Sequence, residues 1–315
     1  MRKEPIKIGD LLKKYNLLVL LIVFVIISSI LSPNFLTLGN LLNLLQQASI
    51  PGIVAIGMTL VIILGGIDLS VGSVAAFAGM ISSILVSKGI PIVISILAGV
   101  ALGAVLGLIT GVLIAKFGLP DFIATLAMME IARGAALLTT QGVPVFGLPV
   151  EFKFIGGGFI GSVSVSGIIW IIMTILFALM LKYTAFGRSL FAIGGNREAA
   201  TLSGIKTTRN YVFAYILCAC LSAFAGVLTA SWLSTGQPTA GDGMELNAIA
   251  ASVIGGASLS GGIGSIDGTF GGVFLLQIIT NIFNLVGLAS FYQQIAKGII
   301  IIAALLLNRA IDSRK

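Results

Sequence analysis

Apolar residues arrive in long runs, separated by short polar or glycine-bearing stretches. The first run, Leu17–Leu31, follows a basic stretch of Arg2, Lys3, Lys7, Lys13 and Lys14. A basic front before a short apolar core has the look of a secretory signal. No A-x-A-like cleavage site follows, only Ser32-Pro33-Asn34-Phe35, so the run reads as a retained first helix. Further runs cover Leu41–Leu64, Ser73–Val86, Pro91–Ala115, Phe122–Thr140, Ser166–Leu181, Tyr211–Leu233, Met244–Leu259, Thr269–Leu285 and Ala289–Asn308. A transmembrane helix takes about 20 residues, so the pattern predicts ten spans, several of them short or interrupted by glycine. Gly99, Gly103, Gly107 and Gly111 form a four-residue ladder. On a helix that is one smooth stripe, open to close approach by a neighbouring helix or a second subunit.

Charge supports the even count. With the N-terminus inside, the cytoplasmic pieces are the N-tail, Lys116, the loop 182–210 and the C-tail. They hold 14 of the 18 basic residues, the other four being Lys88, Lys153, Arg133 and Lys297. This is the positive-inside asymmetry. It predicts a multi-pass membrane protein with both termini cytoplasmic: tail 1–15, one membrane domain 16–308 and tail 309–315.

Composition narrows the chemistry. The chain is 57% hydrophobic and 9% charged, against roughly 25% charged in soluble domains, which excludes an ordinary soluble enzyme. There is no histidine, hence no His-based nucleophilic catalysis, metal site or proton relay. Cys218 and Cys220 lie two apart in an apolar run and read as packing residues. No Gly-Lys dipeptide occurs, so the phosphate loop of many ATPases is absent. The net charge of +7 fits membrane orientation better than nucleic-acid binding.

The loop 182–210 is the longest polar stretch. Asn196 can cap a helix over Arg197–Leu202 and Gly204 can end it, with Glu198 in the first turn, where the helix dipole favours a carboxylate. On these features alone the loop is either a solvated linker or a docking element. Glu198-Ala199-Ala200 followed by Gly204 resembles the E-A-A-x-x-x-G signature of ATP-binding-cassette (ABC) importer permeases. Two further stretches carry the likeness: Gly57 to Ser73, containing Gly65-Gly66-Ile67-Asp68-Leu69-Ser70, and Gln237 to Gly262, containing Gly255-Gly256-Ala257-Ser258-Leu259-Ser260. With Leu31 to Phe35 and Gly194-Gly195-Asn196, they resemble the ribose-type monosaccharide permeases of bacterial ABC importers, from about residue 16 to the C-terminus. Arg197 departs from the pattern, standing between Asn196 and Glu198.

The resemblance implies an all-α permease fold of about ten transmembrane helices, and an ATPase-coupling helix carrying Arg188, Gly195, Asn196, Glu198, Ala199, Ala200 and Gly204. It implies a second permease copy, a cytoplasmic ATPase with two nucleotide-binding domains and an extracytoplasmic sugar-binding protein. ATP would be bound by the partner, this chain holding no cofactor or metal. Ribose leads as substrate, with other pentoses such as xylose, galactose or a signalling furanose behind it.

Polar residues at membrane depth are the remaining candidates. Gly65-Gly66-x-x-Leu69-Ser70-x-Gly72 recurs 190 residues later as Gly255-Gly256-x-x-Leu259-Ser260-x-Gly262, an internal pseudo-repeat of the kind that borders translocation paths. Asp68, with Ser70, either caps a helix starting at Leu69 or lines a gate. Glu130 and Arg133, three apart on one face, suggest an intramembrane ion pair. Gln46, Gln47, Asn247, Asn281, Asn284, Gln293 and Gln294 either hydrogen-bond helices together or offer donors and acceptors to a neutral sugar. An ion-coupled secondary carrier would want a relay chain that is not visible, and no paired-carboxylate motif supports an intramembrane enzyme.

Overall fold

A computed structural model describes residues 16–289, 291–296, 298, 299 and 302. Among the described residues the regular structure is mostly helical: α1 Asn16–Leu31, α2 Leu38–Ile63, α3 Val71–Ser87, α4 Ile92–Ala115, α5 Asp121–Leu138, α6 Val150–Gly157, α7 Val165–Tyr183, α8 Ala185–Gly195, α9 Arg197–Leu202, α10 Thr207–Leu233, α11 Met244–Ile254 and α12 Ile266–Leu285. A two-stranded antiparallel hairpin, β1 Phe159–Ile160 and β2 Val163–Ser164, precedes α7, with Phe159 opposite Ser164.

α2, α4, α7, α10 and α12 are long and apolar enough to cross a membrane, while α1, α3 and α11 are shorter apolar helices. α5 carries Asp121, Glu130 and Arg133 within 18 residues, which dilutes its apolar character. The predicted runs meet these helices within a few residues, with one exception. Met244–Leu259 was expected as one span, but α11 stops at Ile254 after 11 residues. At about 1.5 Å per residue it is far shorter than a bilayer core of about 30 Å. The expected run Ala289–Asn308 lies largely outside the described residues; 291–296 are helical. The tails 1–15 and 309–315 lie outside them as well.

The buried centre is α10, packed on α2, α3, α4 and α6. Small residues make this possible. The glycine ladder of α4 faces inward within the chain: Gly103 lies against Ala219 and Ala223, Gly107 against Tyr215 and Ala219, and Gly111 against Val212, all on α10. A methyl group at Gly107 would collide with the Tyr215 carbonyl. α2 crosses α7 where Gly52 leaves room for the fully buried Trp170, whose indole stacks on Phe270 of α12 at 4.5 Å between centroids. Where α2, α11 and α12 meet, Thr59 Oγ1 lies 2.9 Å from Ser252 Oγ and 2.6 Å from Thr269 Oγ1, and each hydroxyl also reaches a carbonyl four residues back on its own chain segment.

Candidate functional site

The loop 182–210 folds into two helices rather than one. Thr184 caps α8 by accepting from the Gly187 N–H, and α8 runs through Gly194 to end at Gly195. After a kink at Asn196, α9 covers Arg197–Leu202 as the cap signals indicate. Asn196 Oδ1 accepts from Ala199 N–H at 2.9 Å. At the far end Gly204 N–H bonds the Thr201 carbonyl and Ile205 N–H the Ala200 carbonyl, with Gly204 at φ +81°. That is the Schellman geometry in which glycine avoids the cost of a left-handed backbone. Ala200 is buried, whereas Arg188, Gly195, Asn196, Glu198, Ala199 and Gly204 are exposed. Leu202 is 90% exposed on this otherwise polar turn.

Arg197 anchors α9 to the bundle. Its guanidinium lies 4.8 Å from the centroid of the Tyr211 ring, within cation–π range, and reaches within 3.5 Å of the Ala115 carbonyl at the end of α4. Below it, Tyr215 donates to Asp121 Oδ2 at 3.0 Å and Tyr211 donates to the same oxygen at 3.4 Å. Asp121 opens α5, where a carboxylate suits the helix N-terminus. The ends of α4, α5, α9 and α10 are thus joined through one cation, two phenols and one carboxylate. Sequence reasoning missed Asp121, Tyr211 and Tyr215; the only signal was a Tyr pair four apart.

The two copies of the internal echo meet in space. Each follows a helix closed by a Schellman motif: Gly65 at φ +85° after α2, and Gly256 at φ +92° after α11. The closing bonds correspond, Gly66 N–H to the Val61 carbonyl and Ala257 N–H to the Ser252 carbonyl. In the turn that follows, Asp68 Oδ1 accepts from Ser70 N–H at 2.9 Å, and in the second copy Ser258 Oγ accepts from Ser260 N–H at 3.3 Å. The turns align at the 190-residue spacing, the helix ends at 191. Gly65 and Gly261 pack backbone to backbone, and Gly262 N–H bonds the Ile63 carbonyl at 2.8 Å. Gly194 of α8 closes on the same carbonyl.

Asp68 does not cap a helix at Leu69. α3 begins at Val71 after Ser70, and the buried Asp68 holds Ser70 by its N–H and by its hydroxyl at 2.6 Å. The Glu130–Arg133 pair is also corrected. Arg133 donates at 2.8 Å to both the Pro238 and Ala240 carbonyls and pairs with Asp242 at 3.2 Å, while Glu130 is exposed. Two carbonyls and a carboxylate outside the helix satisfy the guanidinium fork better than a neighbour on its own helix.

Most of the candidate amides have partners. Asn281 is buried and exchanges two hydrogen bonds with Asn40, at 3.0 and 2.9 Å. Gln277 donates to Gln47 at 2.8 Å, Gln293 to Asn284 at 2.7 Å and Asn247 to the Gly243 carbonyl at 3.0 Å. Gln46 lines a groove beside Phe159 and Ser162 of the hairpin segment, and Gln294 is exposed. Cys218 and Cys220 are free thiols. Among the described residues, no cluster of acidic or cysteine side chains is placed to hold a metal ion.

Long apolar helices packed through small residues, five of them long enough to cross a bilayer, define an integral, multi-pass membrane protein. The chain belongs to the family described as the permease component of branched-chain amino acid transport systems, which matches residues 40–305. Among individual relatives it is 43% identical to the ribose import permease protein RbsC of Escherichia coli (strain K12), over 95% of this chain and 94% of that protein. It is 45% identical to RbsC of Bacillus subtilis (strain 168), over 92% and 90%. The L-arabinose ABC transporter permease protein AraH of Azospirillum brasilense is 36% identical, over 96% and 89%. No solved structure matches.

Proposed function

We propose that this chain is the permease subunit of an ATP-driven importer that carries ribose across the cell membrane. The observation that carries the reading is the identity of 41–45% to ribose import permeases of three bacterial genera, against 36–37% to arabinose permeases. The family description names amino acids, but the individual relatives that carry this reading are named for ribose and arabinose. The arabinose relatives favour, as second reading, the same importer class acting on another pentose.

In this reading the domain 16–308 spans the membrane about ten times between cytoplasmic tails, the short α11 crossing only together with its flanking loops, two copies pair, an extracytoplasmic protein delivers sugar, and a cytoplasmic ATPase with two nucleotide-binding domains binds the ATP. α8 and α9, with Arg188, Gly195, Asn196, Glu198, Ala199, Ala200 and Gly204, dock into the ATPase. Exposed small side chains allow close approach, and Leu202 supplies an apolar knob in an otherwise wet surface. Movement passes through Gly194 to the Asp68–Ser70 turn, which serves as an inner gate. Gln46, Gln47, Asn247, Asn281 and Asn284 border the path, those held in amide pairs as its walls.

The test is labelled ribose uptake into proteoliposomes holding this chain with its candidate ATPase, binding protein outside and ATP inside. Uptake that needs all three components and ignores ionophores is expected. Uptake by this chain alone, abolished by an ionophore, would overturn the reading in favour of a secondary carrier.

A further inference from the structure

A cavity of about 290 Å³ lies between α2, α11 and α12, roofed by the loop at Gly241 and Asp242. It sits at the low edge of the roughly 300–1,000 Å³ range of ligand pockets. That is room enough for one sugar ring. One wall is apolar, with Pro51 and Met244. The other carries Asn247, Gln277 and Thr280. Asn247 donates to the Gly243 carbonyl, leaving its Oδ1 as an acceptor. Gln277 donates to Gln47, leaving its own carbonyl oxygen and its second amide hydrogen available. Thr280 donates to the Leu276 carbonyl and keeps its lone pairs.

The roof is held in place. Arg133 binds the Pro238 and Ala240 carbonyls and neutralises Asp242, so the rim presents no uncompensated charge. An anion finds no free cation here, and a zwitterion finds no pair of opposite charges. An uncharged polyol finds an apolar face for its C–H side and mixed donors and acceptors for its hydroxyls. From the cavity α11 leads down, one residue past Ala251, to the Thr59–Ser252–Thr269 hydroxyls and then to the backbone closure at Gly65 and Gly261. We propose that this cavity is a monosaccharide subsite, at which a sugar halts above the closed loops and where the amides distinguish one epimer from another. The proposal rests on the sugar-importer reading.

The test uses the complete reconstituted importer. Thr280→Trp fills the cavity and is expected to lower ribose uptake at least tenfold, while the loaded binding protein still stimulates ATP hydrolysis. Asn247→Ala and Gln277→Ala each remove one hydrogen-bonding group and are expected to slow ribose uptake about fivefold, as a lost hydrogen bond of about 1 kcal/mol implies. They are also expected to change the ratio of ribose to arabinose uptake at saturating binding protein, a readout that weaker packing alone leaves unmoved. Wild-type uptake by Thr280→Trp would overturn the subsite and leave the importer standing, as would an unchanged epimer ratio in both alanine variants. Absence of ATP-driven sugar uptake by the wild-type complex would overturn both.

Discussion

Replacing Gly204 with tryptophan separates docking from folding because the structure makes the local cost small. A Cβ at Gly204 would meet nothing within 4 Å, so a side chain there starts out into open space. The remaining cost is conformational. Gly204 sits at φ +81°, where an L-residue carries about 1–2 kcal/mol of strain, and the two closing hydrogen bonds of α9 persist in that conformation. Against a stability of about 5–15 kcal/mol for a domain, this loosens one turn without unfolding the bundle. Gly204→Ala carries the same strain without the bulk, and Gly204→Asn relieves part of the strain. In the reconstituted importer, Gly204→Trp is expected to insert and assemble but to lower ATP-driven uptake at least tenfold, with Ala and Asn much nearer wild type. A tenfold loss corresponds to about 1.4 kcal/mol at the docking surface. Normal uptake by Gly204→Trp would refute the docking role of α9, and equal losses in Trp and Ala would assign the effect to strain instead.

Further expectations concern the polar ties of the bundle. Asn40→Ala and Asn281→Ala should each destabilise the protein by stranding a buried amide, with a coupling of about 0.6–2 kcal/mol in a double-mutant cycle of detergent unfolding; additivity would show that the reciprocal pair contributes nothing. Asp242→Asn should change stability by less than about 0.5 kcal/mol, because the Asp242 side chain is 88% exposed and surface ion pairs are weak. Arg133→Ala should instead free the Pro238–Asp242 loop and speed its proteolysis severalfold; equal cleavage in both variants would contradict this. Tyr215→Phe should lower thermal stability by about 1 kcal/mol and Tyr211→Phe by less, following their 3.0 and 3.4 Å bonds to Asp121; the reverse order would count against the network.

Sequence patterning located most helices because lipid-facing segments must be continuously apolar, and that signal is local. It misjudged α11, whose apolar run continues to Leu259 although Gly255-Gly256 stops the helix at Ile254. The stop depends on glycine at a left-handed position, which hydropathy does not register. Asn196 and Gly204 marked α9 correctly because capping chemistry is also local. Arg133 was assigned to Glu130 because spacing on one helix is visible in sequence, whereas a loop more than 100 residues later is not. The Asn40–Asn281 and Gln47–Gln277 pairs were equally hidden, since each needs the α2–α12 crossing to exist first. The echo of Gly65 in Gly255 was legible as a pattern, but not the contact between its copies.

At the junction of α2, α8 and the loop after α11, Gly65, Gly194, Gly261 and Gly262 bring three distant parts of the chain together with no side chain between them. An ordinary packing interface absorbs small shifts by changing rotamers. This one has no rotamers to change, so it behaves as a rigid spindle rather than a cushion. A push on the end of α8 must move the backbone ends of both repeats together or not at all, and one methyl group added at Gly194 or Gly261 would wedge the joint.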